Sequence, residues 1–165
     1  MTAGPGTRIL VMRHGPAEAL GLAHSGDFDR RLTPAGRKRT EQACAVLAQL
    51  LPEIGRVYTS PYLRARETAD LLAAALSLPS PEATPLLAPG FDRAALAGML
   101  AEGDGRAAAV VGHEPDLSGF IAWMSGARVV MDKGTACLIE LAQPGTAQLH
   151  ALYQQESLLN ALGGD

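Results

Sequence analysis

The sequence predicts a three-layer α/β/α sandwich around a mixed, mostly parallel sheet that ends in a hairpin. Three observations predict it. Short apolar runs alternate with stretches of helical periodicity, as in layered α/β folds. Thr33-Pro34, Ser60-Pro61 and Pro115 punctuate the chain where helices would start. The last third carries two strand-like runs, Ala136 to Ala142 and Ala147 to Tyr153, joined by Gln143-Pro144-Gly145-Thr146.

Along the chain, Arg8 to Met12 (R-I-L-V-M) reads as a buried strand halted by His14-Gly15-Pro16. Pro16 to Leu32 is polar and reads as loop. Thr33 can cap a helix whose first residue is Pro34, and Ala43, Val46, Leu47 and Leu50 repeat at helical spacing before Pro52 ends it. Val57-Tyr58-Thr59 is a brief strand. Ser60-Pro61 repeats the cap-plus-proline signal, and Ala65, Ala69, Leu72 and Leu76 carry the next apolar face to about Leu78. Pro79 to Gly90 holds four prolines and reads as an irregular connection. Asp92 to Leu100 is a predicted helix and Ala107 to Val111 a buried strand ended by Gly112-His113. Pro115 opens a helix with Leu117, Phe120, Ile121 and Met124 inward and Gly126 as its stop.

The chain has 165 residues and 47% hydrophobic content, which fits one domain spanning 1–165 with a real core. A net charge of -3 gives no global basic field for nucleic acid. No apolar run approaches the ~20 residues that span a bilayer, so no membrane partner is expected. Met1 to Thr7 lacks the basic start and apolar stretch of a signal peptide, and Cys44 and Cys137 are too few for a disulfide framework; both read as core residues. A cytoplasmic monomer is expected. Twelve arginines against two lysines, with 29 alanines, read as a GC-rich, bacterial coding bias, which makes any single arginine less informative.

Ligands in open α/β sheets bind beyond the carboxyl ends of the strands. Three predicted strand ends are loaded: Arg13-His14-Gly15, then Thr59-Ser60-Pro61 with Arg64 in the following helical turn, then Gly112-His113-Glu114. Arginine forks suit tetrahedral phosphate oxygens, one histidine can attack phosphorus, and a second, protonated, can stabilise the transferring group. Phosphoryl transfer through a phosphohistidine, with neither metal nor other cofactor, is the chemistry that fits. Competing chemistries fail on spacing. The positions six after Cys44 and Cys137 are Leu50 and Gln143, where a cysteine phosphatase needs arginine. Asp27-Phe28-Asp29 follows a loop and not an apolar strand. There is no H-E-x-x-H pair and no G-x-x-x-x-G-K loop.

Four ordered blocks, L-V-M-R-H-G (10–15), L-T-P-A-G (32–36), Y-T-S-P-Y-L-R-A-R-E-T (58–68) and V-V-G-H-E-P (110–115), with a weaker K-G-T-A (133–136), resemble the histidine phosphatase superfamily. Within it the chain is similar to the small bacterial phosphohistidine phosphatases of the SixA type. The resemblance implies a phosphoglycerate mutase-like fold, His14 as nucleophile, and Arg13, Arg64 and His113 as phosphate-binding and catalytic partners. It also implies a pocket arginine in the Asp29-Arg30-Arg31-Leu32-Thr33 block. Arg31 stands where proline is usual, which favours Arg30 but leaves the choice open.

Larger members supply a carboxylate proton donor from an inserted segment; here only Glu82 and Asp92 are available between Leu78 and Asp92, and neither sits in an acid motif. Glu82, Asp92 or no residue acts as the acid. That favours phosphohistidine on a protein as substrate, since imidazole leaves with less acid help than an alcohol. A broad small-molecule phosphomonoesterase and a catalytically weak phosphoprotein-binding module are the alternatives. Each residue also has an ordinary reading: His14 as a turn histidine, Arg64 paired with Glu67 or Thr68 along its helix, Arg30 as a solvated loop charge, Glu114 as a helix-start acid. His24 and His150 read as structural or exposed.

Overall fold

The computed structural model describes residues 6–143 and 145–163. Its elements are β1 (Arg8–Arg13), α1 (Pro34–Leu50), β2 (Ile54–Thr59), α2 (Leu63–Ala75), β3 (Glu82–Ala83), α3 (Arg93–Ala101), β4 (Ala107–Gly112), α4 (Asp116–Ser125), β5 (Ala136–Gln143), β6 (Thr146–Tyr153) and α5 (Gln155–Leu162). Short 3₁₀ turns cover Asp27–Asp29 and Pro85–Leu87.

The six strands form one sheet in the order β3-β2-β4-β1-β5-β6. β1, β2, β3 and β4 run parallel, while β5 pairs antiparallel with both β1 and β6. The pleat sorts β1 between two cores. Leu10 and Met12 face a cluster that includes Ala43 and Leu47 of α1, Ala69 and Leu72 of α2 and Leu158 of α5. Ile9 and Val11 face the opposite cluster, with Leu96 and Leu100 of α3 and Leu117, Phe120 and Met124 of α4. Helices therefore cover both faces, and the predicted three-layer sandwich is the fold observed. Cys44 and Cys137 are both free and buried within it.

Thr33 caps α1 through its hydroxyl, which accepts from Gly36 N at 2.9 Å. Asp92 caps α3 in the same way, accepting from Ala94 N and Ala95 N. Gly126 closes α4 at φ 72°, in the left-handed region. Four local expectations are corrected. Leu50 is exposed, and Leu51 takes the buried place at the end of α1. Ser60 does not cap α2, which begins at Leu63 with no side-chain cap. β3 arises inside the supposedly irregular Pro79–Gly90 connection, where Glu82 pairs with Tyr58. α5 was not expected from the sequence; no side chain caps its start. The predicted hairpin turn includes Pro144, which lies outside the described residues. No helix among the described residues is long and apolar enough to cross a membrane.

Candidate active site

The sheet brings the loaded strand ends together. Arg13 pairs with Gly112 across β1 and β4, and Thr59 pairs with Val111 across β2 and β4. The pairing continues one step beyond the strands: His14 N–H donates to Gly112 O at 3.1 Å, and Ser60 N–H to Val111 O at 2.9 Å. His14 and His113 thus leave neighbouring parallel strands side by side, with ring centroids 5.3 Å apart. Gly15 lets α1 close in, because a Cβ there would collide with Thr40 Oγ1. Its N–H donates to Thr68 Oγ1 at 3.0 Å, which ties the turn to α2.

His14 is buried, and its Nδ1 lies 2.8 Å from Gly15 O. A carbonyl only accepts, so Nδ1 carries the proton and Nε2 keeps its lone pair. Arg64 Nε–H points at that lone pair from 3.2 Å. Burial above all, then Arg64, His113 and Arg13, push the His14 pKa down to about 3 against the opposing bond to the Gly15 carbonyl. The imidazole is therefore neutral at neutral pH, the state a nucleophile needs.

His113 is equally buried, and burial followed by the Arg64 charge lowers its pKa to about 4. Its imidazole is therefore neutral at neutral pH, and an incoming phosphoryl dianion would draw the pKa back up toward the protonated form. Its Nε2 lies 2.7 Å from Ser60 Oγ, a hydroxyl that also accepts from Tyr62 N at 3.2 Å. Sequence reading took Ser60 for a helix cap and missed this pairing. A serine at a strand end adjoining a histidine strand end was the available signal.

The cleft in front of the two histidines measures about 310 Å³ and is lined by Arg13, Asp27, Arg30, Arg64, Glu114 and Lys133 among others. Arg13 Nη1 donates to Met131 O at 2.9 Å, and its backbone N–H to Thr135 O, so the 131–135 loop holds it in place. Arg13 Nε and His113 Nδ1 are buried without a hydrogen-bond partner among the described residues. A phosphoryl oxygen within reach of either would supply the missing bond and remove the cost of leaving a buried polar group unpaired. Arg30 reaches the cleft, whereas Arg31 is exposed and does not line it.

Asp27 was read only as part of a failed Asp-x-Asp motif, yet it sits on the cleft wall. Lys133, noted only within its weak block, stands exposed on the rim. Glu114 also lines the cleft, but its Oε1 accepts from Ser118 N at 2.8 Å, the helix-start role. Asp92 is committed to the α3 cap, and Glu82 lines a different cleft beside Arg56 and Arg106. His24 pairs with Glu18 at 2.8 Å and His150 with Glu140 at 3.4 Å, away from the histidine pair.

Residues 9–88 match the model of the histidine phosphatase superfamily, branch 1. The structure superposes on the protein histidine phosphatase SixA complexed with tungstate with a TM-score of 0.82 and 26% identity, covering 92% of this chain and 99% of that one. The chain belongs to the histidine phosphatase superfamily.

An uncharacterised protein of Picosynechococcus sp. is 40% identical over 112 residues, 66% of this chain and 67% of that protein. A phosphoserine phosphatase mutant from Entamoeba histolytica, solved with phosphoserine, has the same fold at a TM-score of 0.69 and 14% identity, covering 93% of this chain and all of that one. This histidine phosphatase is therefore SixA-like in architecture, and its substrates are phosphorylated compounds. The same fold also serves proteins with a different substrate.

Proposed function

We propose that the protein removes phosphate from phosphohistidine side chains of a partner protein, through a phosphorylated His14. In the first step His14 Nε2 attacks phosphorus; a P–N bond to His14 forms, the P–N bond to the substrate imidazole breaks, and that imidazole leaves with the bond's electron pair and takes up a proton. In the second step water attacks phosphorus, the P–Nε2 bond breaks, and inorganic phosphate departs while His14 regains its lone pair. Arg13, Arg30 and Arg64 would hold the equatorial oxygens, and His113 Nδ1–H would stabilise the charge that develops there.

One observation carries the choice of leaving group: among the described residues, each carboxylate lining the cleft already serves as a hydrogen-bond acceptor for the protein. Asp27 is held by two arginines and Glu114 accepts from Ser118 N in the first turn of α4, while Glu82 and Asp92 are elsewhere. A general acid contributes roughly 10²–10⁴-fold for a basic leaving group, so an alkyl ester would be slow and a phosphoramidate fast. The likeness to SixA supports the same substrate class.

Turnover of a phosphohistidine-bearing protein, an aryl phosphate and a sugar phosphate should fall in that order. Rapid quench with labelled substrate should trap an acid-labile, alkali-stable phosphoenzyme that disappears in His14→Ala. A preference for sugar phosphates, or an undiminished rate in His14→Ala, would refute the proposal.

A further inference from the structure

Asp27 occupies the arginines that a phosphoryl group would need. Its Oδ2 accepts from Arg64 Nη2 at 3.0 Å, its backbone carbonyl accepts from Arg64 Nη1 at 2.7 Å, and its Oδ1 accepts from Arg30 Nε at 2.8 Å. Both Nη atoms of Arg64 thus each give one of their two N–H bonds to the same residue. The Arg64 Nε–H covers the lone pair of His14 Nε2. Arg64 is buried, while the Asp27 side chain is about half exposed (46%) on a short turn. The arginine is fixed and the aspartate sits on the solvent side of the pair. Partial burial works against the Asp27 charge, but Arg64 and Arg30 outweigh it and hold the carboxyl below its usual range.

We infer that Asp27 is an internal competitor for phosphate, whose carboxylate holds Arg64 and Arg30 until a phosphoryl dianion displaces it and which takes them back as product leaves. The inference rests on the phosphatase reading of the pocket. A dianion brings more charge to the fork than one carboxylate, so it can win the exchange. The return of Asp27 opposes retention of inorganic phosphate in a pocket of three arginines. Asp27 is accordingly a residue that sets affinity and product release.

The test is the binding of inorganic phosphate and of vanadate to wild type, Asp27→Asn and Arg64→Met, by calorimetry and by competitive inhibition of turnover. Asparagine keeps the size and an acceptor oxygen but removes the charge. Asp27→Asn should bind both anions at least threefold tighter, with stronger product inhibition and a lower KM than wild type. Damage to the fold cannot produce such a gain. Affinity that is unchanged or weaker in Asp27→Asn, with wild type binding phosphate and Arg64→Met not, would overturn the competitor role and leave the phosphatase reading standing. A wild type that binds neither anion would overturn both.

Discussion

Replacing Ser60 by alanine should damage catalysis through His113 without touching any group that contacts phosphate. Ser60 Oγ accepts from Tyr62 N–H and lies 2.7 Å from His113 Nε2; the tautomer that leaves an Nδ1–H for a phosphoryl oxygen has the hydroxyl donating to Nε2. With Nε2 accepting, the imidazole proton lies on Nδ1, a buried nitrogen without a hydrogen-bond partner among the described residues. Ser60 is fully buried, so water does not replace the lost hydroxyl freely. An unsatisfied buried nitrogen costs about 1–3 kcal/mol, and moving the proton to Nε2 would relieve none of it. It would, however, turn Nδ1 into an acceptor facing the phosphoryl oxygens. At 1.36 kcal/mol per factor of ten, the loss translates into a kcat lower by roughly ten- to a hundredfold, short of the ~10²–10³ typical when an oxyanion donor is deleted outright. KM should move much less. Long-range ¹⁵N correlation spectra should show His113 protonated on Nδ1 in wild type and a mixture in Ser60→Ala. Loss of the Tyr62 N–H acceptor should lower Tm by only about 2–4 °C per kcal/mol, which circular dichroism can separate from the kinetic effect. A kcat within twofold of wild type, or a wild-type His113 protonated on Nε2, would refute the reasoning.

The two buried histidines also predict a pH dependence of stability. Their folded pKa values, about 3 for His14 and about 4 for His113, lie below the ordinary value of 6.5. Between those limits the unfolded chain binds more protons, so their contribution is complete above pH ~6.5 and is lost as pH falls toward 4 and then 3. At pH 5 this is on the order of 2 kcal/mol per histidine, at ~1.36 kcal/mol per pKa unit. The Tm should drop between pH 7 and 5, and the drop should shrink in His14→Gln/His113→Gln; an equal drop in the double variant would contradict the shifts. Glu82→Gln and Asp92→Asn should each change the phosphohistidine rate by less than about tenfold, below the contribution of a general acid. Asp92→Asn should cost little stability as well, since asparagine also caps helices. A large kinetic loss in either variant would place a proton donor where the structure shows none.

The parts of the site that could be read in the sequence are those whose chemistry is written next to a strand end. Arg13, His14, Arg64 and His113 each follow an apolar run or open a helical one, and a parallel sheet necessarily collects such ends on one rim. What escaped depends on contacts between distant segments. Ser60 meets His113 across 53 positions, and a serine before proline also fits a helix cap, so the local reading won. Asp27 meets Arg64 across 37 positions from a loop with no periodicity, where an acidic residue has no predictable partner. α5 escaped because its start carries no side-chain cap, although Leu158 packs into the core below α1. The Arg30 and Arg31 ambiguity has a similar origin. Adjacent residues in an extended segment point apart, and the bridge between Ala17 and Leu32 together with the Arg30 bonds to Asp27 and Glu18 O fixes which of them turns inward.

The register between β1 and β4 has a consequence for how such a protein can diversify. His14 and His113 follow directly on the paired positions Arg13 and Gly112. The gap between their rings, 5.3 Å, is close to the ~4.8 Å repeat of hydrogen-bonded strands. The spacing of the two histidines is therefore inherited from the backbone ladder and owes little to the side chains around it. Asp27, Arg30 and Lys133 come from loops that hang outside that ladder. Exchanging those loops between relatives should transplant substrate preference while the spacing of the histidine pair stays as the sheet sets it.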